Sequence, residues 1–492
     1  MEMHMRRRLA TLAAALALAA PSRAEAPAEK LSPALKAALE EARPGESHVV
    51  WAYFRDKGPR PEAGRSEAEA QLTPRALSRR ALRGELAERV GFEDLALVRS
   101  YVDAVFAHVL RPRQESRWFN AVSAEATAEQ VRALSGLAFV ERLDLVRRYR
   151  RPREEPAAPD DRASSASTLV PGERYAFNYG SSIGQVRQIN VPAVHNKGLH
   201  GEGVVIALFD AGFNNLAHQA FATMKIVAKR DFVNGDGDVG DGSDMGEGSH
   251  GTETLSAIGG FKQGQLIGPA FAATYLLAKT ENTDSETPVE EDNWAAATEW
   301  AEAKGVDVIS SSLGYLDFDR PYTSYTDLDM DGATAISTRA AELAASRGVV
   351  VVNSAGNSGP NPLHNTLGAP SDGKRVVAVG AVTSSGSRAP FSSVGPSADG
   401  RVKPDVAAQG VSVKLASPFS TGEYVRGNGT SFSCPLTAGV AALVLQAHPR
   451  YTVKQVIGVL RSTASQAKSP DNLLGYGIVN ALKAIQASPP KK

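Results

Sequence analysis

No intrachain disulfide can form in this protein, because its 492 residues include a single cysteine, Cys434. Stability must come from packing, helped at most by bound ions, even in an oxidising compartment. A surplus of charge is missing too, since 54 lysines and arginines face 54 aspartates and glutamates. That balance gives no reason to expect nucleic acid, an acidic polymer or an anionic membrane as the main partner. Beyond the N-terminus no stretch reads as long and apolar enough to cross a bilayer, so the mature protein is expected to be soluble. Low-complexity bulk is absent as well. With 42 % apolar residues the chain can bury a large core, and its length suggests more than one domain.

The N-terminus carries Arg6, Arg7 and Arg8, then an Ala/Leu-rich run from Leu9 to Ala20, then Pro21 and the small residues Ala24 and Ala26. This is the pattern of a secretory signal, assigned to residues 1–26. A membrane anchor is excluded by length, because about a dozen apolar residues give about 18 Å of helix against a hydrocarbon core of about 30 Å. The protein is expected to be secreted, to a periplasm or to the medium.

Residues 27–153 are rich in arginine. His48 to Phe54 reads as a strand of aromatic and β-branched residues, and Arg117 to Val122 as another. Thr127-Ala-Glu-Gln130 is a capping box that opens a short helix, which Gly136 can close before a further strand at Phe139 to Leu143. These pieces make a small α+β module. A Pro-, Ser- and charge-rich stretch over residues 154–174 reads as an exposed linker.

From residue 175 to 492 continuous apolar runs alternate with helical stretches. The strands are expected at Val204–Phe209, Val306–Ser310, Val349–Val352 and Val376–Gly380, and the helices at Asn293–Lys304, Ala335–Arg347 and Ser433–Ala447. Strands apolar on both faces and separated by helices imply an α/β fold, a mostly parallel sheet with helices on both sides. Chemistry in such folds gathers beyond the carboxyl ends of the strands.

Asp210 stands there, after Phe209 and before Ala211-Gly212. Alone, an aspartate beside a glycine turn is more often a turn residue. His250 follows a glycine-rich loop, and a lone histidine is usually structural. Ser431 lies in Gly427-Asn-Gly-Thr-Ser-Phe-Ser-Cys-Pro435, where a serine opening a helix is ordinarily a cap. Their joint order, with Asn357 in Ser354-Ala-Gly-Asn-Ser-Gly359 between histidine and serine, changes the weighing. Asp-Ala-Gly at 210–212, His-Gly-Thr at 250–252, Ser-Leu-Gly at 312–314, Ala-Gly-Asn at 355–357 and Gly-Thr-Ser-x-Ser-x-Pro at 429–435 together resemble the subtilisin family of serine proteases. The resemblance covers about residues 175–487, with Asp-Ala-Gly a mild departure from the commoner Asp-Thr-Gly or Asp-Ser-Gly.

That resemblance implies a serine endopeptidase with Asp210, His250 and Ser431 as catalytic triad and Asn357 in the oxyanion hole. It implies that Ser312, Leu313, Gly314 and Gly356 contact a polypeptide substrate, with Gly368 to Pro370 beside the pocket for the side chain before the scissile bond. No cofactor is needed for catalysis, and calcium enters only as a structural ion. Asp236, Asp238 and Asp241 form one acidic cluster and Asp327 to Gly332 another, the latter like the start of an EF-hand loop but with Thr338 where the bidentate glutamate belongs. The α+β module resembles a subtilisin propeptide, an intramolecular inhibitor and folding aid removed by self-processing. Cys434, three residues beyond Ser431, reads as a small core residue rather than a thiol nucleophile. Two competing readings are a catalytically dead binding scaffold and a serine-carboxyl peptidase; a complete triad speaks against the first and His250 against the second.

Overall fold

The computed structural model describes residues 30–59, 64–146, 158–159, 174–240, 248–282, 291–315 and 325–489. The expected signal segment lies outside them, as do nearly all of the linker and Asp241 of the first acidic cluster.

The N-terminal region carries the helix α1 (Pro33–Glu41), the strand β1 (Ser47–Phe54) and the helices α2 (Arg65–Ala70), α3 (Pro74–Arg83) and α4 (Arg99–Phe106). There follow β2 (Arg111–Ser116), β3 (Ala121–Thr127), α5 (Ala128–Ser135) and β4 (Val140–Leu145), and the strands form an antiparallel sheet in the order β2-β3-β1-β4. The capping box opens α5: Thr127 Oγ1 accepts from Gln130 N, and Gln130 Oε1 accepts from Thr127 N. The strand expected at Arg117–Val122 is displaced. Arg117 to Asn120 form the turn between β2 and β3, with Asn120 left-handed at φ 49°, and pairing begins only at Ala121. The turn is held from outside, where Glu299 accepts hydrogen bonds from Arg117 N, Trp118 N and Ser116 Oγ.

In the rest of the chain β5 (Ala158–Pro159), α6 (Ile183–Gln188) and α7 (Val191–His195) precede a parallel sheet. Its first members are β6 (Val205–Asp210) and β7 (Lys225–Asp231), followed by α8 (His250–Gly259), a small hairpin of β8 (Phe261–Lys262) and β9 (Leu266–Ile267), and β10 (Thr274–Lys279). Then come α9 (Glu291–Lys304), β11 (Val308–Ser311), α10 (Ile336–Ser346), β12 (Val350–Ser354), β13 (Val376–Val382) and β14 (Val406–Gln409). The hairpin β15 (Val413–Ala416) and β16 (Tyr424–Gly427) leads into α11 (Thr430–Ala447), and α12 (Val453–Ser462) and α13 (Ala481–Gln486) finish the fold. The seven parallel strands run β14-β13-β12-β11-β6-β10-β7.

Alternation along β6 explains why its sequence is apolar throughout. Val205, Ala207 and Phe209 join the core cluster of Trp294 and Ala340 on the α9 and α10 side, while Ile206 and Leu208 join that of Leu255 and Leu436 on the α8 and α11 side. The first cluster continues into the N-terminal module through Trp51, Tyr53 and Phe119, so the small sheet shares a core with α9 and α10. One expectation is corrected here. Among the described residues α11, with 18 residues, is long and apolar enough to cross a membrane, but it is buried along almost its whole length as the central core helix.

Candidate active site

β6 carries Asp210 to the carboxyl edge of the sheet, with β10 and β7 on one flank and β11 to β14 on the other. Strand order diverges at this point, the place where sheets of this kind bind their ligands. Asp210 is buried, and its Oδ1 accepts from Ala211 N at 2.8 Å and from His250 Nδ1 at 2.6 Å. Its Oδ2 accepts from Thr254 Oγ1 at 2.8 Å. A carboxylate on Nδ1 fixes the proton there and makes Nε2 the basic nitrogen of the ring. His250 is the first residue of α8, and the start of that helix lies tight against the turn after Asp210. A Cβ on Gly251 would sit 2.2 Å from Gly212 O, which accounts for the glycine in His-Gly-Thr.

Ser431 lies in the first turn of α11 rather than at its cap, which is Gly429. Its Oγ donates to Ser312 O at 3.4 Å, and Ser312 Oγ donates back to Ser431 O at 2.8 Å, so the end of β11 and the start of α11 hold each other. The Phe432 ring lies 5.6 Å from that of His250, between centroids. Asn357 follows the end of β12, and its Oδ1 accepts from both Thr430 N and Thr430 Oγ1 at 2.9 Å. That pair fixes which way the amide faces. The Nδ2 group consequently points to a spot shared with the Ser431 backbone: the position of a Cβ on Gly429 would be 3.6 Å from Asn357 Nδ2 and 3.5 Å from Ser431 N. Glycine leaves this cradle open, at the N-terminus of a long helix where a developing negative charge is favoured.

Beside it, Leu313 O accepts from Asn353 Nδ2 at 2.8 Å, and Tyr315 and Ala369 exchange both backbone hydrogen bonds at 2.9 Å. Gly314 and Gly368 face each other across this bridge, a Cβ on Gly368 coming within 3.1 Å of Gly314 Cα. Gly356, at φ 115°, accepts from Ser393 N, and a Cβ there would meet Ser393 Oγ at 2.8 Å. The walls formed by residues 312–315, 355–356 and 367–370 contain no charged side chain.

Cys434 points away from all this, into the sheet, with Sγ 3.4 Å from Ser311 O and 3.5 Å from Val352 O. Burial pushes its thiol up to about 12, far from a reactive thiolate. Among the described residues no three His, Cys, Asp or Glu side chains converge as metal ligands. Asp329 accepts from Thr326, Asp331 from Ala333 and Thr334, and Asp238 from Gly240, each closing its own turn. Thr338, in the place of the bidentate glutamate, donates instead to the buried Asp372.

Three participants escaped the sequence reading. Thr254 and Thr430 orient Asp210 and Asn357, and Gly429 keeps the cradle empty. The only signal for Thr254 was its spacing of four from His250, which puts both on one helix face.

Comparison with known proteins identifies the family. The model of the Subtilase family matches residues 201–477, and that of the Peptidase S8 propeptide domain, Bacteroidota, matches residues 49–160. Subtilisin NAT of Bacillus subtilis subsp. natto is 32 % identical over 338 residues, 68 % of this chain and 79 % of its own. Subtilisin of Bacillus pumilus is 33 % identical over 305 residues, 61 % of this chain and 98 % of its own. Among solved structures, fervidolysin from Fervidobacterium pennivorans, a keratinolytic enzyme related to subtilisin, superposes with a TM-score of 0.63 at 21 % identity. That match covers 92 % of this chain but 63 % of fervidolysin, and at this identity it speaks for the fold alone. The chain belongs to the subtilase family of serine endopeptidases, with a propeptide domain ahead of its catalytic domain.

Proposed function

We propose that this chain is the precursor of an exported endopeptidase that hydrolyses peptide bonds through an acyl-enzyme on Ser431 and processes itself. His250 Nε2 takes the Ser431 proton as Oγ attacks the substrate carbonyl, then returns it to the leaving amine. Asp210 holds the tautomer that makes Nε2 the base and stabilises the imidazolium. The observation that carries the reading is the cradle at Gly429. Charge appears on the carbonyl oxygen only at the tetrahedral stage, and two N–H donors converging beside the nucleophile lower that stage selectively. No cofactor takes part in these steps.

The substrate backbone pairs with Ser312 to Gly314 as an added strand, a mode of binding that tolerates many sequences. The uncharged walls favour apolar or varied side chains before the scissile bond, which a peptide-library digest reads directly. The arginine-led apolar run at the N-terminus supports export of the precursor.

The deciding experiment is labelling of the purified protein with a fluorophosphonate at neutral pH. Label on Ser431, lost in Ser431→Ala and His250→Ala, is expected. Absence of label on the wild type would sink the reading.

A further inference from the structure

The helix α3 of the propeptide presents arginines to the catalytic domain at the end of the sheet remote from Ser431. Arg79 donates to Arg347 O at 3.1 Å, to Val306 O at 2.7 Å and to Glu302 O at 3.2 Å, and it also pairs with the Glu302 carboxylate. Arg75 donates to Gly305 O at 3.0 Å and Gly203 O at 2.7 Å and pairs with Asp307. Arg83 pairs with the other oxygen of Asp307. The side chains of Arg79 and Glu302 are each 1 % exposed.

Every acceptor in that set belongs to the catalytic domain. Glu302 O and Gly305 O come from the end of α9 and the turn after it, and Arg347 O from just past α10, where helices leave carbonyls unsatisfied and the dipole is negative. Fixed carbonyls and two carboxylates suit a planar guanidinium with several donors far better than an ammonium. Asp307 also accepts from Val205 N at 2.9 Å, so the carboxylate is anchored before any arginine arrives. A cavity of about 270 Å³ runs alongside, lined by Arg75, Arg83, Glu202 and Gln446 among others. Val205 begins the strand that Asp210 ends, which separates this pocket from the catalytic residues by about 16 Å of extended chain.

We propose that Glu302, Asp307 and the surrounding carbonyls form a guanidinium-binding exosite of the catalytic domain, whose ligand is α3 and which keeps the propeptide docked after the linker is cut, whether or not the active site is filled. The inference rests on the reading of the precursor as cleaved between its two domains. Inhibition by the propeptide then persists after processing until this remote contact opens.

The test uses the Ser431→Ala precursor with a recognition sequence for an unrelated protease inserted between Glu155 and Pro156, ahead of the β5–β16 pairing, and cut to give a two-chain complex. Dissociation of the propeptide chain is followed with α3 unaltered and with Arg79→Lys or Glu302→Gln. Lysine keeps the charge and loses the fork, so release faster by about tenfold or more is expected, and a smaller change overturns the assignment. If Arg79→Lys does not fold, Arg75→Lys at the rim replaces it; acceleration of about threefold or more is expected, and less overturns it. A saturating tetrapeptide p-nitroanilide, bound without turnover in Ser431→Ala, is expected to leave the rate unchanged, and release driven by that peptide alone would also overturn it. Because the Ser431→Ala variant does no chemistry, failure here is separate from failure of fluorophosphonate labelling of the wild type.

Discussion

Thr254 Oγ1 donates to Asp210 Oδ2 at 2.8 Å, so the carboxylate that holds His250 is itself held from the helix that His250 begins. Thr254→Val removes one hydrogen bond to a charged acceptor, an effect of about 1.5 to 3 kcal/mol. We expect kcat/KM to fall by about tenfold or more with KM little changed, and Thr254→Ser to restore it. A valine variant with unchanged kcat and an unchanged acid limb in its pH–rate profile would show that Thr254 does not position the dyad.

Gly429 and Asn357 meet at the cradle, so their variants should fail in the same kinetic term. Asn357→Ala is expected to lower kcat by about a hundredfold to a thousandfold with KM nearly constant, the magnitude known for such a donor in a related enzyme. Gly429→Ala places a methyl 3.6 Å from Asn357 Nδ2, where the oxyanion is proposed to form, on a backbone at φ 157° that disfavours a side chain, and should lose kcat at least as severely in protein whose folding is checked by circular dichroism. Loss of affinity alone, measured by steady-state kinetics, would contradict both.

Asp210, His250 and Ser431, proposed above as a catalytic triad, should act as a unit, so their variants should be non-additive. Ser431→Ala and His250→Ala should each remove nearly all activity, and the double variant should be scarcely worse than either. Rates that multiply in the double variant would mean that the two residues work in separate steps.

Strands such as β6 and β13 were legible because burial on both faces demands unbroken apolar sequence. The strand β2, Arg-Pro-Arg-Gln-Glu-Ser, was not, because it lies against a polar partner: Arg113 pairs with Asp292, and Gln114 donates to Phe232 O and Asn293 Oδ1. In the same way the sequence showed only that the module holding α3 is rich in arginine, since the acceptors of these side chains arrive more than two hundred residues later in the chain. Asp210, His250, Ser431 and Asn357 stood out because each sits in a short motif with a glycine, required by close packing at 212, 251 and 356 and by a backbone at φ 157° at 429. Thr254 carried no such mark, as one threonine on a helix looks like any other until its partner is seen.

His195 supplies a pH dependence of stability. Its Nε2 donates to Pro269 O and its Nδ1 accepts from Tyr179 Oη, which defines a neutral ring. Burial, with His200 nearby, pulls its pKa down to about 4 against the opposing carbonyl of Pro269 and the charge of Glu202. The folded state then resists protonation that the unfolded chain accepts near 6.5, so stability is fully present above that value and is lost as pH falls towards 4. For Ser431→Ala, which cannot digest itself, unfolding by denaturant should show a loss of about 2 kcal/mol between pH 7.5 and pH 5 from this group. His195→Gln should flatten that slope; an equal slope in the variant would assign it elsewhere.

Processing can be located from the direction of one short pairing. Ala158 lies opposite Arg426 and Pro159 opposite Val425, antiparallel, on the strand β16 that leads to Ser431. Moving towards the nucleophile along β16 therefore means moving towards lower numbers in the linker. Ser431 follows Arg426 by five positions, in the first turn of α11, so we expect the scissile bond a few residues before Ala158. The paired dipeptide then remains with the catalytic domain after cleavage. We expect N-terminal sequencing of the mature wild type to begin at or shortly before Ala158, while Ser431→Ala accumulates uncut in a host lacking other proteases. A mature N-terminus beyond residue 160 would separate this pairing from processing, and identical cutting of the inactive variant would exclude self-cleavage.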